Sequence, residues 1–330
     1  MEKLFILSNL CRTLAVLRLW QMGGGGIMEH RTRVAAAIKG LPVDRTPCAE
    51  LVIGDELVQA MHGQEVVTFD HRLDFVQTMG LDAVCLHPCF ALPVKQVPGA
   101  RAAVFNDLGK WVDSGLFTFA VLDGPVGWGC RLLGFEELIV KLFKGHGDFQ
   151  DIMAAVEHLN LATIERLAGN GINGILLADD IAYTRGPIVR PDVLRKTVFP
   201  SLIRQLEYAK QLGLPVFFHS DGNLTALLDD IAAAGFDGLQ CIEALAGMDI
   251  GAVKAQYGHT LCLWGNLDPA QLLEDCDPAE LARSVQQIIQ AAGRGLIFGT
   301  SSGLFAGMRL DTIRAVYKTA QSTVPHPAGT

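Results

Sequence analysis

Residues Leu214–Asn223 read LPVFFHSDGN, and this stretch shows the pattern that decides the fold. It begins as a short apolar strand and ends in a polar cluster that contains His219 and Asp221. The dipeptide GN then turns the chain into a helix that we predict to begin at Leu224. Because side chains alternate along a strand, His219 and Asp221 should lie on the same side of the sheet. A buried strand that delivers ligand-type side chains just before its turn is typical of a parallel barrel.

The same pattern recurs along the chain, since eight apolar strands alternate with helical segments. We predict strands at residues 46–53, 82–87, 117–123, 174–180, 215–221, 238–243, 261–266 and 295–300. We predict helices at 29–39, 55–61, 69–79, 135–144, 151–169 and 191–212, a last helix from about 310, and a hairpin-like excursion at 94–114. Runs such as GILLA and GLIFG are typical of strands buried on both faces. Eight such units predict an α/β protein, a single (β/α)8 TIM barrel over residues 28–330. A doubly wound fold would need a glycine-rich phosphate fingerprint after the first strand, where the sequence has none.

The composition limits which classes of partner and which cellular compartment we expect for this protein. The chain has 330 residues, half of them hydrophobic, with a net charge of −8 and no basic run. This balance argues against a nucleic-acid partner. The eight cysteines are spread along the chain without a C-x-x-C pair, which predicts a cytoplasmic protein with reduced thiols. Many apolar helix faces leave room for a homodimer.

The first 27 residues do not follow the strand-and-helix pattern of the rest of the chain. Residues 4–20 are apolar, but Arg12 and Arg18 interrupt them, so this stretch is too short and too charged to span a bilayer. We expect residues 1–27 to be a non-native or disordered extension that precedes a natural start at Met28. The alternative is an amphipathic arm that packs on the domain.

Polar or ionisable residues stand at nearly every predicted strand end, where a parallel barrel builds its active face. We predict Asp180, His219 and Asp221 as catalytic residues. The predicted substrate-binding residues are Glu50, His87, Asp179, Asn266, Asp268 and Ser302. Several of these residues could instead have a purely structural role. Asp221 could cap a turn or helix, and Asp179 with Asp180 could form a solvated turn.

His219 is the hardest of these residues to explain by structure alone. An imidazole buried at the end of an apolar strand costs free energy unless a partner is supplied. Asp221 and Glu243 could supply it, so we predict a metal site of His219, Asp221 and Glu243, with Cys241 nearby. Zinc accepts such ligands and leaves a position open for substrate. The spacing matches no standard zinc or nucleophile motif.

Several segments resemble the uroporphyrinogen decarboxylase superfamily. They are RVAAAIKGLPVDRTP, LLADDIAYTRGPIVRPDVLRKTVFP, LPVFFHSDGN, GLQCIEALAGMDIGAVKAQYG, LWGNLDP and GLIFGTSSGLFAGMRLDTIRAVYKTA. The resemblance covers residues 28–321 and implies a (β/α)8 barrel. It also implies one of two chemistries.

The first chemistry is decarboxylation of uroporphyrinogen. The resemblance implies an arginine-rich motif of the RQAGRY type for the acidic macrocycle, but the corresponding stretch here is AELVIGDEL. The aspartate of an FSDI-type strand is also missing, since the second strand reads DAVCLHPCF. Without arginines, a polyanionic substrate is hard to hold.

The second chemistry is methyl transfer between a corrinoid protein and a small substrate. The resemblance implies zinc held by H-x-C and by a second cysteine in the last strand's loop. His219 matches, but Asp221 replaces the first cysteine and the second falls at about Ser302. An oxygen-rich site would hold zinc more weakly, or another metal, and could still act as a Lewis acid. Without metal, His219 and Asp221 could be a general acid pair.

We therefore expect a cobalamin-dependent methyltransferase that moves a methyl group between a small methylated substrate or thiol and a corrinoid protein. The chain has no D-x-H-x-x-G sequence, so the cobalamin would arrive on that partner. The alternatives are a uroporphyrinogen decarboxylase, which belongs to porphyrin biosynthesis, and a non-catalytic binding barrel.

Overall fold

The computed structural model describes residues 26–324 except 92, 145–146 and 274–275. The predicted N-terminal extension, residues 1–27, therefore falls almost wholly outside the described residues. Within them, no helix is long and apolar enough to cross a membrane.

Seven parallel strands form one sheet, in the order β1-β2-β3-β6-β7-β8-β9. These strands are β1 Ala83–Leu86, β2 Phe117–Asp123, β3 Gly174–Ala178, β6 Val216–His219, β7 Gly238–Gln240, β8 Cys262–Leu267 and β9 Leu296–Thr300. They confirm seven of the eight predicted strands. A small antiparallel pair that was not predicted, β4 Ala182–Tyr183 with β5 Gly186–Pro187, follows β3.

The first predicted strand, residues 46–53, is not a regular strand, and this corrects the expectation. The segment still reaches both edges of the sheet, since Cys48 bridges Phe298 of β9 and Ala49 bridges Ala83 of β1. The ladder stops at Glu50 because its side-chain oxygen Oε1, not a backbone carbonyl, accepts the N–H of Thr300 at 2.7 Å. The two edge strands are thus linked through residues 48 and 49.

Helices follow most strands and cover the outer face. They are α1 His30–Ile38, α2 Asp55–His62, α3 Phe69–Met79, α4 Leu108–Asp113, α5 Pro125–Leu133, α6 Phe135–Lys144, α7 Gly147–Gly169, α8 Pro191–Thr197, α9 Phe199–Gln211, α10 Leu228–Ala234, α11 Ile250–Tyr257, α12 Pro278–Ala292 and α13 Leu310–Ser322. The helix predicted at 191–212 is broken at Val198, because Pro200 has no N–H to donate to the preceding turn. A 3-10 turn, Thr225–Leu227, stands where a helix was predicted from Leu224. Val104 in the excursion at 94–114 pairs with Cys89 through an antiparallel bridge, and α4 follows.

An aromatic layer identifies the concave face of the sheet. The ring centroids of Phe119 on β2 and Trp264 on β8 lie 5.2 Å apart, although three strands separate β2 from β8 in the sheet. Phe217 of β6 contacts both rings. The indole N–H of Trp264 donates to the carbonyl of Ala49 at 3.0 Å, across the concave side. Such contacts require a strongly curved sheet, and the rings fill its interior.

A buried ion-pair cluster ties α1 to the amino end of β1. Asp82 is fully buried just before the strand and accepts hydrogen bonds from Arg33 at 2.6 Å and from Arg45 at 2.8 Å. His30 and the backbone N–H of Cys48 reach the same carboxylate at 2.8 and 3.0 Å. A buried carboxylate needs such partners, so this end of the sheet is built for stability. It lies opposite the carboxyl ends of the strands.

Candidate active site

The carboxyl ends of β3, β6 and β7 bring the principal site residues together. Ala178 of β3 pairs with His219 of β6, so Asp180 and Asp221 extend from neighbouring strands at equivalent heights. The alternation of side chains places Phe217, His219 and Asp221 on the concave side. Asp180 shares that side with them. The expectation that His219 and Asp221 face the same way is confirmed, since the imidazole Nε2 lies 3.9 Å from Asp221 Oδ1.

A relay of hydrogen bonds fixes the imidazole of His219. The side-chain amide of Gln240 donates to the carbonyl of Ser301 at 3.1 Å, which directs its oxygen Oε1 toward His219 Nδ1. An amide oxygen can only accept, so Nδ1 carries the proton and donates it to Gln240. When Nε2 carries no proton, its lone pair is available to a ligand or to a proton. This arrangement suits either a metal ligand or a general base.

The Nε2 lone pair faces two carboxylates. Asp180 Oδ1 lies 3.6 Å from Nε2, and Asp180 also accepts the backbone N–H of Asp221 at 3.0 Å. His219 is only 6% exposed, while the side chains of Asp180 and Asp221 are 60% and 51% exposed. The imidazole is thus rigid and buried, and the carboxylates stand open to an incoming ion or substrate.

Cys241 and Glu243 extend the cluster from the next strand, β7. Cys241 Sγ lies 3.3 Å from Asp221 Oδ1, and the backbone N–H of Gly222 donates to Glu243 Oε2 at 2.8 Å. Burial, together with Asp221, raises the pKa of the Cys241 thiol well above its usual range. Without a cation this sulfur is a neutral thiol that donates to Asp221.

The backbone that presents Cys241 and Glu243 is strained. Cys241 and Ile242 have φ angles of 99° and 51°, in a region that residues other than glycine rarely adopt. Asn266 stabilises this turn because its amide donates to the carbonyl of Ile242 at 2.7 Å. Gly265 leaves the space that is needed, since a Cβ there would collide with the carbonyl of Cys241. Strain of this kind concentrates at functional sites.

Asp179, adjacent to Asp180, faces the opposite side of the sheet. Its carboxylate is buried against the amino end of α5 and accepts the N–H of Gly127 at 2.8 Å. Its second oxygen, Oδ2, has no hydrogen-bond partner within the described residues. Burial raises the pKa of Asp179 well above its usual range. Gly124 is required here, because a Cβ at that position would collide with the Asp179 side chain. The structure therefore separates the carboxylate of Asp179 from the imidazole of His219.

Glu50 and His87 lie at a different place, a cavity of about 310 Å³ beside β1. Glu50 is buried and accepts hydrogen bonds from the Thr300 hydroxyl at 2.5 Å and from the hydroxyl of Tyr317. Burial raises the pKa of Glu50 to about 7, although these bonds oppose the shift. His87 Nε2 lies 2.8 Å from the carbonyl of Leu51. The residues that line this cavity do not include His219 or its neighbours.

The remaining predicted substrate-binding residues have local roles in the structure. Asp268 accepts the N–H of Ala270 at 2.9 Å and so caps a 3-10 turn, Pro269–Leu272. Ser302 is partly buried in the turn after β9. A role in binding substrate stays a prediction for both residues.

Sequence reasoning missed Gln240 as a functional residue. It stands in the strand GLQ, where the other two residues are apolar or glycine, and it faces the concave side next to His219. A polar residue at a buried, inward position of an apolar strand is the signal that could have identified it.

The donor atoms fit a divalent cation. One ligand atom each from Asp180, His219 and Asp221 lies within 4.8 Å of the others, and the same holds for Asp221, Cys241 and Glu243. The predicted ligand set of His219, Asp221 and Glu243 is thus divided between two groups that share Asp221. Nitrogen, carboxylate and sulfur donors are the set that zinc prefers. The same residues without metal offer an imidazole and carboxylates for acid–base work.

Comparison with known proteins supports the architecture. The family model described as Uroporphyrinogen decarboxylase (URO-D) matches residues 110–323. The chain belongs to the uroporphyrinogen decarboxylase family. A curated uroporphyrinogen decarboxylase from Magnetococcus marinus is 30% identical over 126 residues, which span 36% of this chain and 33% of that relative. The chain therefore matches only about a third of that relative's length.

Solved structures extend the comparison to the whole fold. A methyltransferase from Methanosarcina mazei has a TM-score of 0.69 at 17% identity, covering 89% of this chain and 98% of the other. A glycosylated endo-β-1,4-xylanase from Gloeophyllum trabeum has a TM-score of 0.53 at 13% identity, with 90% and 100% covered. At these identities the similarity shows the fold of the family member, an α/β barrel-type architecture, and not its reaction.

Proposed function

We propose that this member of the uroporphyrinogen decarboxylase family is a metal-dependent methyltransferase. It would move a methyl group between a small methylated substrate or thiol and a corrinoid protein. One observation carries the proposal: His219 is fixed through Nδ1 by Gln240, and its Nε2 lone pair faces Asp180 and Asp221. A histidine ligand oriented by an outer hydrogen-bond partner is the usual arrangement in metal sites.

The residues of the proposed site would have different roles. We call the carboxyl end of the sheet around His219 the mouth of the site. His219 would bind the cation from the buried side of this mouth, while Asp221 and Glu243 would bind it from the ends of β6 and β7. A bound zinc ion would supply Lewis-acid activation of the substrate's thiol or ether oxygen. Asp180, the most exposed of the group, is placed to hold a proton beside the substrate.

The mouth must also admit the methyl carrier, and we infer that this carrier is a separate corrinoid protein. We further infer that residues 46–53 complete a closed (β/α)8 barrel, because Cys48 and Ala49 bridge its two edge strands. The free thiols of the described residues favour a reducing compartment, so we place the protein in the cytoplasm. A homodimer and the lack of a nucleic-acid partner stay predictions of the sequence.

A second candidate function is decarboxylation of uroporphyrinogen. The name of the family and of its curated relative favours it. Two arginines are engaged with acidic residues: Arg131 pairs with Asp123 at 2.8 Å, and Arg72, which lines the cavity beside β1, pairs with Asp55. Incubation with uroporphyrinogen, followed by chromatography for coproporphyrinogen, tests this candidate directly.

The primary test combines metal analysis with methyl transfer. We expect near-stoichiometric zinc in the parent and none in His219→Ala, while His158→Ala, at an exposed position on α7, keeps its zinc. Methyl transfer from a panel of methylated thiols, ethers and amines to reduced cobalamin should be lost in the same variant. Zinc-free parent protein, or equal transfer by parent and His219→Ala, would contradict the proposal.

A further inference from the structure

We propose that Cys241 is a thiolate ligand of the metal held by His219, Asp221 and Glu243. This inference rests on the proposed function, since it requires a metal at the site. It assigns the sulfur donor to the end of β7, and not to positions 221 and 302, where the resemblance places cysteines and this chain has Asp221 and Ser302.

Distances around Asp221 support the assignment. Zinc bonds of about 2.0 to 2.3 Å at a tetrahedral angle separate neighbouring donor atoms by about 3.3 to 3.8 Å. Asp221 Oδ1 lies 3.3 Å from Cys241 Sγ and 3.9 Å from His219 Nε2. One carboxylate oxygen therefore already has a sulfur and a nitrogen donor close to coordination spacing.

The buried imidazole gives an independent indication that a ligand belongs here. His219 is more than nine-tenths buried, its Nδ1 is engaged by Gln240, and its Nε2 lies beyond hydrogen-bond distance from both Asp180 and Asp221. A largely buried imidazole whose Nε2 faces two carboxylates at 3.6 and 3.9 Å leaves a place where a cation would contact all three groups.

The two donor sets meet at Asp221, but neither contains His219 together with Cys241 or Glu243. We therefore expect the Cys241 side chain to turn toward His219 as the ion binds. The metal–sulfur bond forms as the S–H bond breaks, and the thiol proton leaves to solvent. The strained turn at Cys241 and Ile242, stabilised by Asn266, keeps this thiol at the mouth.

Cobalt(II) titration of the full-length protein tests the ligand directly. A thiolate ligand gives a near-ultraviolet sulfur-to-cobalt charge-transfer band, whereas nitrogen and oxygen ligands alone do not. We expect the band in the parent and in Cys89→Ser, an exposed cysteine outside the cluster. Cys241→Ser should lose the band and keep the visible ligand-field absorption of bound cobalt.

The outcomes separate this inference from the proposed function. Cobalt that binds the parent without a charge-transfer band, or a band that persists in Cys241→Ser, would overturn the role of Cys241 and leave the metal site intact. A parent that binds no cobalt would overturn both. If Cys241→Ser does not fold, X-ray absorption of the zinc-loaded parent decides: one sulfur at about 2.3 Å supports the inference, and only nitrogen and oxygen scatterers refute it.

Discussion

Replacement of Glu50 by glutamine should change how the stability of the protein depends on pH. Glu50 is buried on the helix side of the sheet, where it joins β9 to α13 through Thr300 and Tyr317. Burial is the largest influence on this carboxyl, and it raises the pKa from 4.5 to about 7. The folded protein therefore keeps this proton at pH values where the unfolded chain has released it.

The sign follows from this difference in proton binding. The stabilising contribution of the protonated carboxyl is fully present below about pH 4.5 and is lost as the pH rises through about 7. Between pH 5 and pH 8, the free energy of unfolding should fall by about 2 to 3 kcal/mol because of this one group. Glu50→Gln keeps the shape of the side chain and cannot ionise, so it should lack this decrease.

Urea unfolding at pH 5 and pH 8, followed by circular dichroism, measures the effect. The relevant quantity is the stability of the parent minus that of Glu50→Gln, because the other titrating groups cancel in this difference. Glu157→Gln is a matched control: Arg204 holds the pKa of Glu157 below its usual value, so the parent-minus-variant difference for this residue should stay nearly constant between pH 5 and pH 8. A parent-minus-variant difference that is equal at pH 5 and pH 8 would refute the reasoning.

Four further substitutions test other parts of the structure. Asp82→Ala should destabilise the protein by about 3 to 5 kcal/mol in urea unfolding, because it removes the buried carboxylate that pairs with both Arg33 and Arg45; a loss below about 1 kcal/mol would contradict the cluster's role. Trp264→Ala should cost about 3 to 5 kcal/mol by opening a cavity in the aromatic layer, and unchanged stability would argue against that packing. Gly124→Ala should cost about 1 to 3 kcal/mol through its collision with Asp179, and the added Asp179→Ala substitution should reduce that penalty; additive losses in the double mutant would exclude the collision. Gln240→Leu should weaken zinc binding about 10- to 100-fold in a competition titration with a chelator, and parental affinity would show that the relay to His219 is dispensable.

The strands were predictable because most of them are buried on both faces. Runs such as GILLA and FTFAVLD are apolar without alternation, and the structure places them at Gly174–Ala178 and Phe117–Asp123. Glycines and prolines between these runs located the turns. The first strand failed for a reason outside its own sequence: Glu50 bonds to Thr300, 250 residues away, and interrupts the ladder.

The site was predictable only in part. His219 and Asp221 could be paired from alternation within one strand, and the structure places them as expected. Alternation also shows that Asp179 and Asp180 face opposite sides, but which of them faces His219 depends on the pairing of β3 with β6. The contact of Cys241 with Asp221 depends on the positive φ angles of Cys241 and Ile242, which neither residue type predicts. Register and backbone strain are properties of the folded chain and leave little trace in local sequence.

The aromatic layer beneath the site has a kinetic consequence. The rings of Phe119, Phe217 and Trp264 fill the interior below His219, so a reactant reaches His219 from the carboxyl end of the sheet. Two reactants that meet at His219 must both approach from that end. When one reactant is a small molecule and the other is carried by a protein, the docked protein would cover the carboxyl end of the sheet. If the proposed corrinoid protein docks there, we expect the small molecule to bind first, and the two reactants would then bind in a compulsory order.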